Sequence, residues 1–342
     1  MEHFDAGQWF DPVPGYLNTA AVGLPPRATL TELDRRIAEW REGRCDPPSF
    51  DADVARARAA YGRIVGVDAG RVGVIGPASV GAGMVAASLP DGATVGCADE
   101  DFTSVLFPFL ADGRLSVRTV PLDRLVDSVD AGVDLVAVSA VQSADGRVID
   151  LAALAEVAAG AGARTFLDMT QSAGWLPIDA SRFDVTVCHS YKWLCCPRGV
   201  GFLTVSDAAL EWLRPVNAGW YAGDNPWTSI YGPPLRLAAD ARRFDTSPDW
   251  FSVAGAAPAL ELIAQLGVGT INRHNVDLTN LFRARLGLVP SNSAIVSIGT
   301  DRAAALTEAG IVTAARAGKV RISFHLYNTE RDVDAAAACL LA

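Results

Sequence analysis

The sequence predicts an α/β protein: a mostly parallel sheet sandwiched between helices, followed by a smaller C-terminal α+β domain. Two observations carry this reading. From Val72 to residue 205, short apolar runs of strand length alternate with helix-length segments, the rhythm that produces a parallel sheet covered on both faces. After Leu213 the rhythm breaks into a long aromatic stretch, and a region with its own strands and helices follows. At 342 residues, half of them apolar, the chain is long enough for a large domain and a smaller one, each with a core. The large domain is placed at residues 20–250, and the small one at 1–19 together with 251–342.

In chain order, Tyr16 to Ala21 reads as a short extended segment that stops at Gly23-Leu24-Pro25-Pro26. A helix follows, with Leu30, Leu33, Ile37 and Trp40 on one face and expected inside. A second helix, from about Asp53 to Val65, has an Arg-rich outer face and Tyr61, Ile64 and Val65 inward. Strands are predicted at 72–75, 93–97, 115–120, 134–138, 165–168, 184–188 and 200–204, with helices at 79–89, 102–111 and 150–161. Residues 214–250 hold Trp220, Tyr221, Trp227, Tyr231, Phe244 and Trp250 with five prolines. A loop of that length inside a compact chain is usually functional. A helix at 252–266, strands near 294–298 and 320–324 and closing helices complete the chain.

The formal charge of −10 argues against nucleic acid or an anionic membrane as partner. No apolar run approaches a membrane span. Met1 to Gln8 shows neither the basic nor the apolar region of a signal peptide. Cys45, Cys97, Cys188, Cys195, Cys196 and Cys339 have no C-x-x-C pairing and no companion histidine spacing, so no metal site or disulfide framework is indicated. A reduced, cytoplasmic setting is the expectation. The vicinal Cys195-Cys196 pair reads as small residues filling a tight turn.

The chemistry-bearing residues lie between 164 and 202. Asp168 ends one apolar run, Gln171 follows three residues on, and Lys192 follows a second run. Polar residues at the carboxyl ends of neighbouring strands are how an α/β sheet builds a site. Lys192 and Lys319 are the only lysines in a chain that otherwise uses arginine for positive charge. Arginine cannot replace lysine where an amine must lose its proton and condense with an aldehyde. A snorkelling surface lysine is the competing reading. Upstream, Gly76 to Gly81 lies between a strand and a small-residue helix, where backbone N–H groups and the helix dipole favour an anion.

Asp168-x-x-Gln171, followed by His189-Ser190-Tyr191-Lys192-Trp193 and the Gly199-Val200-Gly201-Phe202 strand, resembles the class V branch of fold-type I pyridoxal-phosphate enzymes. That branch includes cysteine desulfurases, kynureninases and isopenicillin epimerase-like proteins. The resemblance implies the fold-type I architecture, pyridoxal 5′-phosphate as cofactor, an amino-acid substrate and a homodimer with its active site at the subunit interface. It further implies that Lys192 holds the cofactor aldehyde and shuttles the Cα proton, that Asp168 faces the ring nitrogen, and that Gln171 reaches the phenolic oxygen. Ser79 and Val80 fall in the phosphate turn, where Val80 replaces an acidic residue. Phe102 falls where a His or Phe stacks on the ring, with core packing as the alternative. Ser143, His189, Tyr191 and Trp220 fall beside the cofactor. Ser247, in the segment 242–248, matches a residue that contacts phosphate from the neighbouring subunit, with Thr246 in place of a glycine. Arg321, in Arg321-x-Ser323-x-x-x-Tyr327-Asn328-Thr329, matches the grip on the substrate α-carboxylate, and Tyr16, Asn18 and Trp227 are expected along the substrate.

Within the branch, Trp220 to Asp224, Arg242 to Pro248 and Phe324 to Thr329 resemble the actinobacterial hercynylcysteine S-oxide lyases of ergothioneine biosynthesis. Cysteine desulfurases carry a nucleophilic cysteine shortly before the arginine, and Gly310 to Gly318 holds none. That pattern implies cleavage of a Cβ–S bond without sulfur transfer to the protein. The substrate's trimethylammonium group would meet Trp220, Tyr221, Trp227 or Tyr231, or else these rings pack a subunit interface. A kynureninase-like hydrolase, a general cysteine-conjugate lyase, an aminotransferase and a cofactor-binding protein without turnover are the competing readings.

Overall fold

Two helices open the fold, α1 (Arg27–Arg41) and α2 (Asp51–Val65), and a buried ion pair sets how they sit. The computed structural model describes residues 6–341; residues 1–5, where the reading of the N-terminus begins, and residue 342 lie outside the described residues. On α1 the buried positions are Thr29 and Arg36, Leu33 is half-buried beside Gly255, and Leu30, Ile37 and Trp40 are exposed, so of the face expected from apolar spacing only Leu33 turns inward. The reason is polar. Thr29 Oγ1 donates to Gly255 O at 2.9 Å, and Arg36 reaches across to Asp53 Oδ2 at 2.5 Å and Ser49 Oγ at 2.9 Å. A charge that must stay paired once buried overrides an apolar stripe. Helix α2 buries Tyr61, Ile64 and Val65 as expected, but its arginines are not all outside: Arg58 is 7% exposed.

The large sheet is built from β1 (Val72–Ile75), β2 (Thr94–Ala98), β3 (Ser116–Val120), β4 (Leu135–Ser139), β5 (Arg164–Asp168), β6 (Val185–His189) and β7 (Gly201–Val205), in the order β1-β7-β6-β5-β4-β2-β3. Helices α3 (Ala78–Ser88), α4 (Thr103–Ala111), α5 (Leu122–Leu125), α6 (Leu151–Ala161) and α7 (Asp207–Trp212) connect and flank these strands. Strands β3, β2, β4, β5 and β6 run parallel, and β7 runs antiparallel to both of its neighbours. The link from β6 to β7, residues 190–200, contains no helix. A strand that returns without a crossover element must return antiparallel, and that same link carries Lys192. Two apolar layers cover the sheet.

Residues 214–249 form no α-helix or sheet strand, only short 3₁₀ turns at Trp220–Ala222, Pro226–Thr228 and Ala241–Phe244. Helices α8 (Trp250–Leu266) and α9 (Val268–Arg285) then bend by 82° at Gly267. The chain closes with β8 (Ile295–Ile298), α10 (Ala303–Glu308), β9 (Ala314–Arg316), β10 (Lys319–Ser323) and α11 (Glu330–Leu341). These three strands form an antiparallel sheet, β8-β10-β9. Leu17, Phe282, Ile322, Phe324 and Val333 share its core. The segment at Leu17 is threaded into it: Leu17 N donates to Val312 O and Ser323 N to Leu17 O, both at 3.0 Å.

Candidate active site

The carboxyl ends of β2, β4, β5 and β6 converge, and each delivers a polar group. Asp101, just beyond β2, is buried and accepts from Ser139 Oγ (2.5 Å), Ser139 N (2.7 Å), Phe102 N (2.7 Å) and Gln142 Nε2 (3.3 Å). This clamp fastens the turn that presents Phe102, whose ring is 48% exposed. Asp101 was not among the residues singled out from the sequence; the acidic run Asp99-Glu100-Asp101 before Phe102 was its only signal. Asp168, the last residue of β5, is buried and its Oδ1 accepts the Thr170 amide at 2.7 Å. Burial pushes its carboxyl above the ordinary carboxylate range, against the hydrogen bonds from Thr170 and the charge of Lys192.

Lys192 lies in the β6–β7 link, 6% exposed. Its Nζ stands 5.6 Å from the centroid of the Phe102 ring and 5.7 Å from that of Tyr191. Burial lowers its amine to about 8, opposed by Asp168 and reinforced by Arg321 and Arg316. The link is held from several sides. Gly23 N donates to Tyr191 O at 2.9 Å, and a Cβ on Gly23 would run into the Lys192 carbonyl, so only glycine lets the N-terminal segment cross here. Trp193 Nε1 donates to Gln171 Oε1 at 2.9 Å, and Trp193 O lies 3.0 Å from His325 Nε2. His325 Nδ1 lies 3.1 Å from Asn275 Nδ2. An Nε2–H tautomer therefore ties α9 and the C-terminal segment to the lysine loop.

Gln171 is a strut. Its Nε2 donates to Ala20 O at 3.0 Å and Ser143 Oγ at 3.1 Å, and its Oε1 takes the Trp193 proton. Both amide hydrogens are thus engaged with protein, whereas the sequence pointed to a ring oxygen as the partner. Ser143 also receives Arg321, whose Nη1 donates to Ser143 O at 2.6 Å and to Ser143 Oγ at 3.2 Å. The other edge of Arg321 is orphaned: Nε and Nη2 are buried without a hydrogen-bond partner. Burial, then the charge of Arg316, lower Arg321 to about 10. Beside it in the chain topology, Asn18 bridges to Ser323, and Asn18 Oδ1 is also buried and unpartnered. Tyr16, two residues earlier, donates to Val22 O at 2.7 Å.

The turn after β1 leads into α3 with Pro77 at its N-cap and no side-chain cap, so the first amides, at Ala78 and Ser79, remain available to an anion. Val80 N closes the turn on Pro77 O at 2.9 Å. His189, at the end of β6, packs edge-on to Tyr191 with centroids 4.5 Å apart. Its Nε2 is buried without a partner, and burial together with Arg198 and Lys192 lowers it to about 4, so the ring is neutral.

Four expected residues lie apart from this group. Trp220 contacts Tyr221 (5.1 Å) and Trp227 (5.0 Å), and Tyr221 Oη and Trp227 Nε1 donate to Asp51 at 2.8 and 2.6 Å. Within one chain these rings are tied to the start of α2, and among the described residues none of their hydrogen bonds or ring contacts reaches Lys192, Asp168 or Arg321. Ser247 is exposed, beyond the Asp245 carboxylate that anchors Arg58 and Val74 N.

A buried amine brought near neutrality, a neutral imidazole and a guanidinium edge without partners, uncapped helix amides and an aromatic face suit one kind of guest. It carries a carbonyl, a phosphate and a flat ring, and beside it sits a carboxylate for the orphaned arginine. These orphaned groups are the independent sign of fit, since a buried polar group left unpaired costs about 1–3 kcal/mol unless something binds it.

The profile of the family Aminotransferase class-V matches residues 106–310. The chain is 28% identical over 302 residues to the uncharacterized aminotransferase YcbU of Bacillus subtilis, covering 81% of this chain and 80% of that protein. It is 27% identical to the isopenicillin N epimerase of Streptomyces clavuligerus, covering 96% and 95%. It is 26% identical to the kynureninase of Deinococcus radiodurans, covering 78% and 70%. Among solved structures, the cystine C–S lyase C-DES in complex with its reaction product cysteine persulfide superposes with a TM-score of 0.83 at 20% identity, covering 96% of this chain and 97% of that one.

Proposed function

Because the chain belongs to the class-V aminotransferase family, whose cofactor is pyridoxal phosphate, we propose that it is a carbon–sulfur lyase acting on hercynylcysteine S-oxide. The products are pyruvate, ammonia and the sulfenic acid of ergothioneine, which a thiol reductant then converts to ergothioneine. The observation that supports elimination over sulfur transfer is the lip of the site. Residues 310–318, which lead through β9 to Arg321, carry no thiol. Cys97, Cys188, Cys195 and Cys196 are buried, and Cys45 and Cys339 lie in the α1–α2 connection and on α11.

In this reading Lys192 would hold the cofactor aldehyde and Asp168 the ring nitrogen, a positive partner that returns the buried carboxyl to its anion. The α3 amides around Ser79 and Val80, with His189 Nε2, would hold the phosphate, and Phe102 would cover the ring. When bound, the cofactor draws electrons from the substrate's α-carbon, so that a β-substituent can depart. Arg321 turns its free Nε–Nη2 edge to the α-carboxylate in a two-pronged pair. Lys192 Nζ, whose hold on a proton burial weakens, takes the Cα proton. The Cβ–S bond breaks with its electron pair on sulfur. A sulfenate is a better leaving group than a thiolate, which suits a pocket without a dedicated acid. The released aminoacrylate hydrolyses to pyruvate and ammonia. The exposed stripe Leu30, Ile37 and Trp40 on α1 supports a homodimer.

The Ser190-Tyr191-Lys192 run and the likeness to a kynureninase favour a second reading, hydrolysis of kynurenine. Purified holoenzyme supplied with hercynylcysteine S-oxide is expected to release pyruvate, and borohydride is expected to fix the cofactor on Lys192. Alanine and anthranilate from kynurenine, with no pyruvate from the sulfoxide, would replace the lyase with the hydrolase.

A further inference from the structure

The small sheet carries more positive charge toward the site than one carboxylate requires. In its register Arg321 faces Ala314, and Lys319 faces Arg316. Alternation along a strand places Lys319, Arg321 and Ser323 on one face and Val320 and Ile322 on the other. Val320 and Ile322 lie in the apolar core, whereas Arg321 donates to Ser143 and Ser323 Oγ meets Leu17 O and Ala20 N, so the face of Lys319, Arg321 and Ser323 is the one turned toward the large sheet. Arg316, two residues beyond Ala314, shares that face and is the diagonal neighbour of Arg321. Such neighbours stand about 7–8 Å apart, within reach of long side chains.

Neither Arg316 nor Lys319 makes an ion pair among the described residues. Arg316 donates only to the adjoining Ala315 carbonyl, at 2.7 Å, whereas the exposed Arg27, Arg35 and Arg285 each sit on a carboxylate. The field of Arg316 also reaches inward, where it disfavours the charged forms of Lys192 and Arg321. Two unpaired cations therefore stand at the lip, next to a buried third whose outer edge is itself unpaired.

We infer that Arg316, assisted by Lys319, binds a second anionic group on the side chain of the substrate, so that the site selects amino acids carrying a carboxylate at both ends. This rests on the lyase reading and deepens it, since the betaine half of hercynylcysteine S-oxide ends in such a carboxylate. Arg321 holds the α-carboxylate inside and Arg316 the distal one at the lip.

Competitive inhibition by glutarate and adipate, compared with butyrate and hexanoate and measured against whichever amino acid the holoenzyme turns over, reads the subsite independently of the identity of that amino acid. The dicarboxylates are expected to bind about tenfold more tightly than their monocarboxylate counterparts, the worth of one charge-assisted contact. R316Q is expected to remove most of that advantage, R316K to restore part of it, and K319Q to reduce it less than R316Q. Equal inhibition by mono- and dicarboxylates, or an advantage undiminished in the R316Q/K319Q double variant, overturns the subsite. The same variants assayed with hercynylcysteine S-oxide separate the two readings. A dicarboxylate preference that depends on Arg316, in an enzyme releasing no pyruvate from this sulfoxide, keeps the subsite and removes the substrate.

Discussion

Arg58 on α2 and Arg321 on β10 are both buried guanidinium groups, 7% and 1% exposed. Arg58 is answered on every side: Nη2 donates to Asp245 Oδ2 at 2.6 Å, and Nη1 donates to Asp245 Oδ1 at 3.2 Å and to the Val72 carbonyl. Asp245 in turn accepts Val74 N at 2.7 Å. That network seals the α2–β1 seam against the loop at 241–246. Arg321 has only Ser143, and no carboxylate among the described residues. A buried cation with its partner supplied is architecture, while one left half-paired is a receptor, and the energy lost by not pairing it is recovered when the partner arrives.

Removing the receptor gives the largest effect. R321M deletes two charge-assisted contacts to the α-carboxylate, each about 1.5–3 kcal/mol, so kcat/KM is expected to fall by roughly 10²–10⁴. Its urea midpoint should hold or rise, because an uncompensated buried charge leaves with the side chain. Steady-state kinetics alongside denaturant melts test this, and a large loss of stability would put Arg321 in the same class as Arg58.

Removing the architectural arginine should do the reverse. R58M strands Asp245 and is expected to cost about 3–5 kcal/mol of stability, with KM close to wild type in whatever fraction folds. The double change R58M/D245L should recover much of that loss, since an apolar pair can replace a buried ion pair. Failure of the second change to rescue the first would show that the seam depends on Val74 N or the Val72 carbonyl, not on the charges.

The contrast between these arginines also marks what the sequence could disclose. The strands from Val72 to Val205 were legible because each is an apolar run closed by turn residues, and Lys192, Asp168 and Arg321 were legible because residue type and spacing carry chemistry. The Arg58–Asp245 pair spans 187 positions and leaves no local trace, nor does the Asp101 clamp on Ser139. For the same reason most of the inward face of α1 left no trace: Arg36 finds Asp53 only after folding, and a stripe of which only Leu33 packs inward looks like any buried face. The antiparallel return of β7 was hidden because strand-like runs do not state their direction. Helix α9 also went unread, lying in a polar stretch of weak apolar periodicity.

A smaller effect concerns the charge that Arg321 and Asp168 impose on Lys192. The amine sits near 8 against an ordinary 10.5, so the folded cofactor-free protein gives up its proton before the unfolded chain does. Between about 8 and 10.5 the unfolded state binds more protons, and stability of the cofactor-free protein should rise with pH. Uptake of cofactor by that protein should rise through a midpoint near 8, because only the neutral amine attacks the aldehyde. D168N is expected to move the midpoint down and R321M to move it up, as their charges act in opposite senses. Midpoints that stay put in both variants would mean that burial alone sets the amine.

The smallest change probes how Arg321 is aimed. Ser143 offers two acceptors, its carbonyl at 2.6 Å and its hydroxyl at 3.2 Å, and S143A removes only the longer contact. Gln171 loses the same acceptor at 3.1 Å but keeps Ala20 O at 3.0 Å. One ordinary hydrogen bond contributes about 0.5–1.5 kcal/mol, so KM should rise roughly twofold to tenfold while kcat stays within about a factor of two. The carbonyl, which no side-chain change can delete, continues to hold the guanidinium. A loss in kcat as deep as that of R321M would mean that the Ser143 hydroxyl acts on the reacting atoms themselves, and the half-paired arginine would then be only part of the receptor.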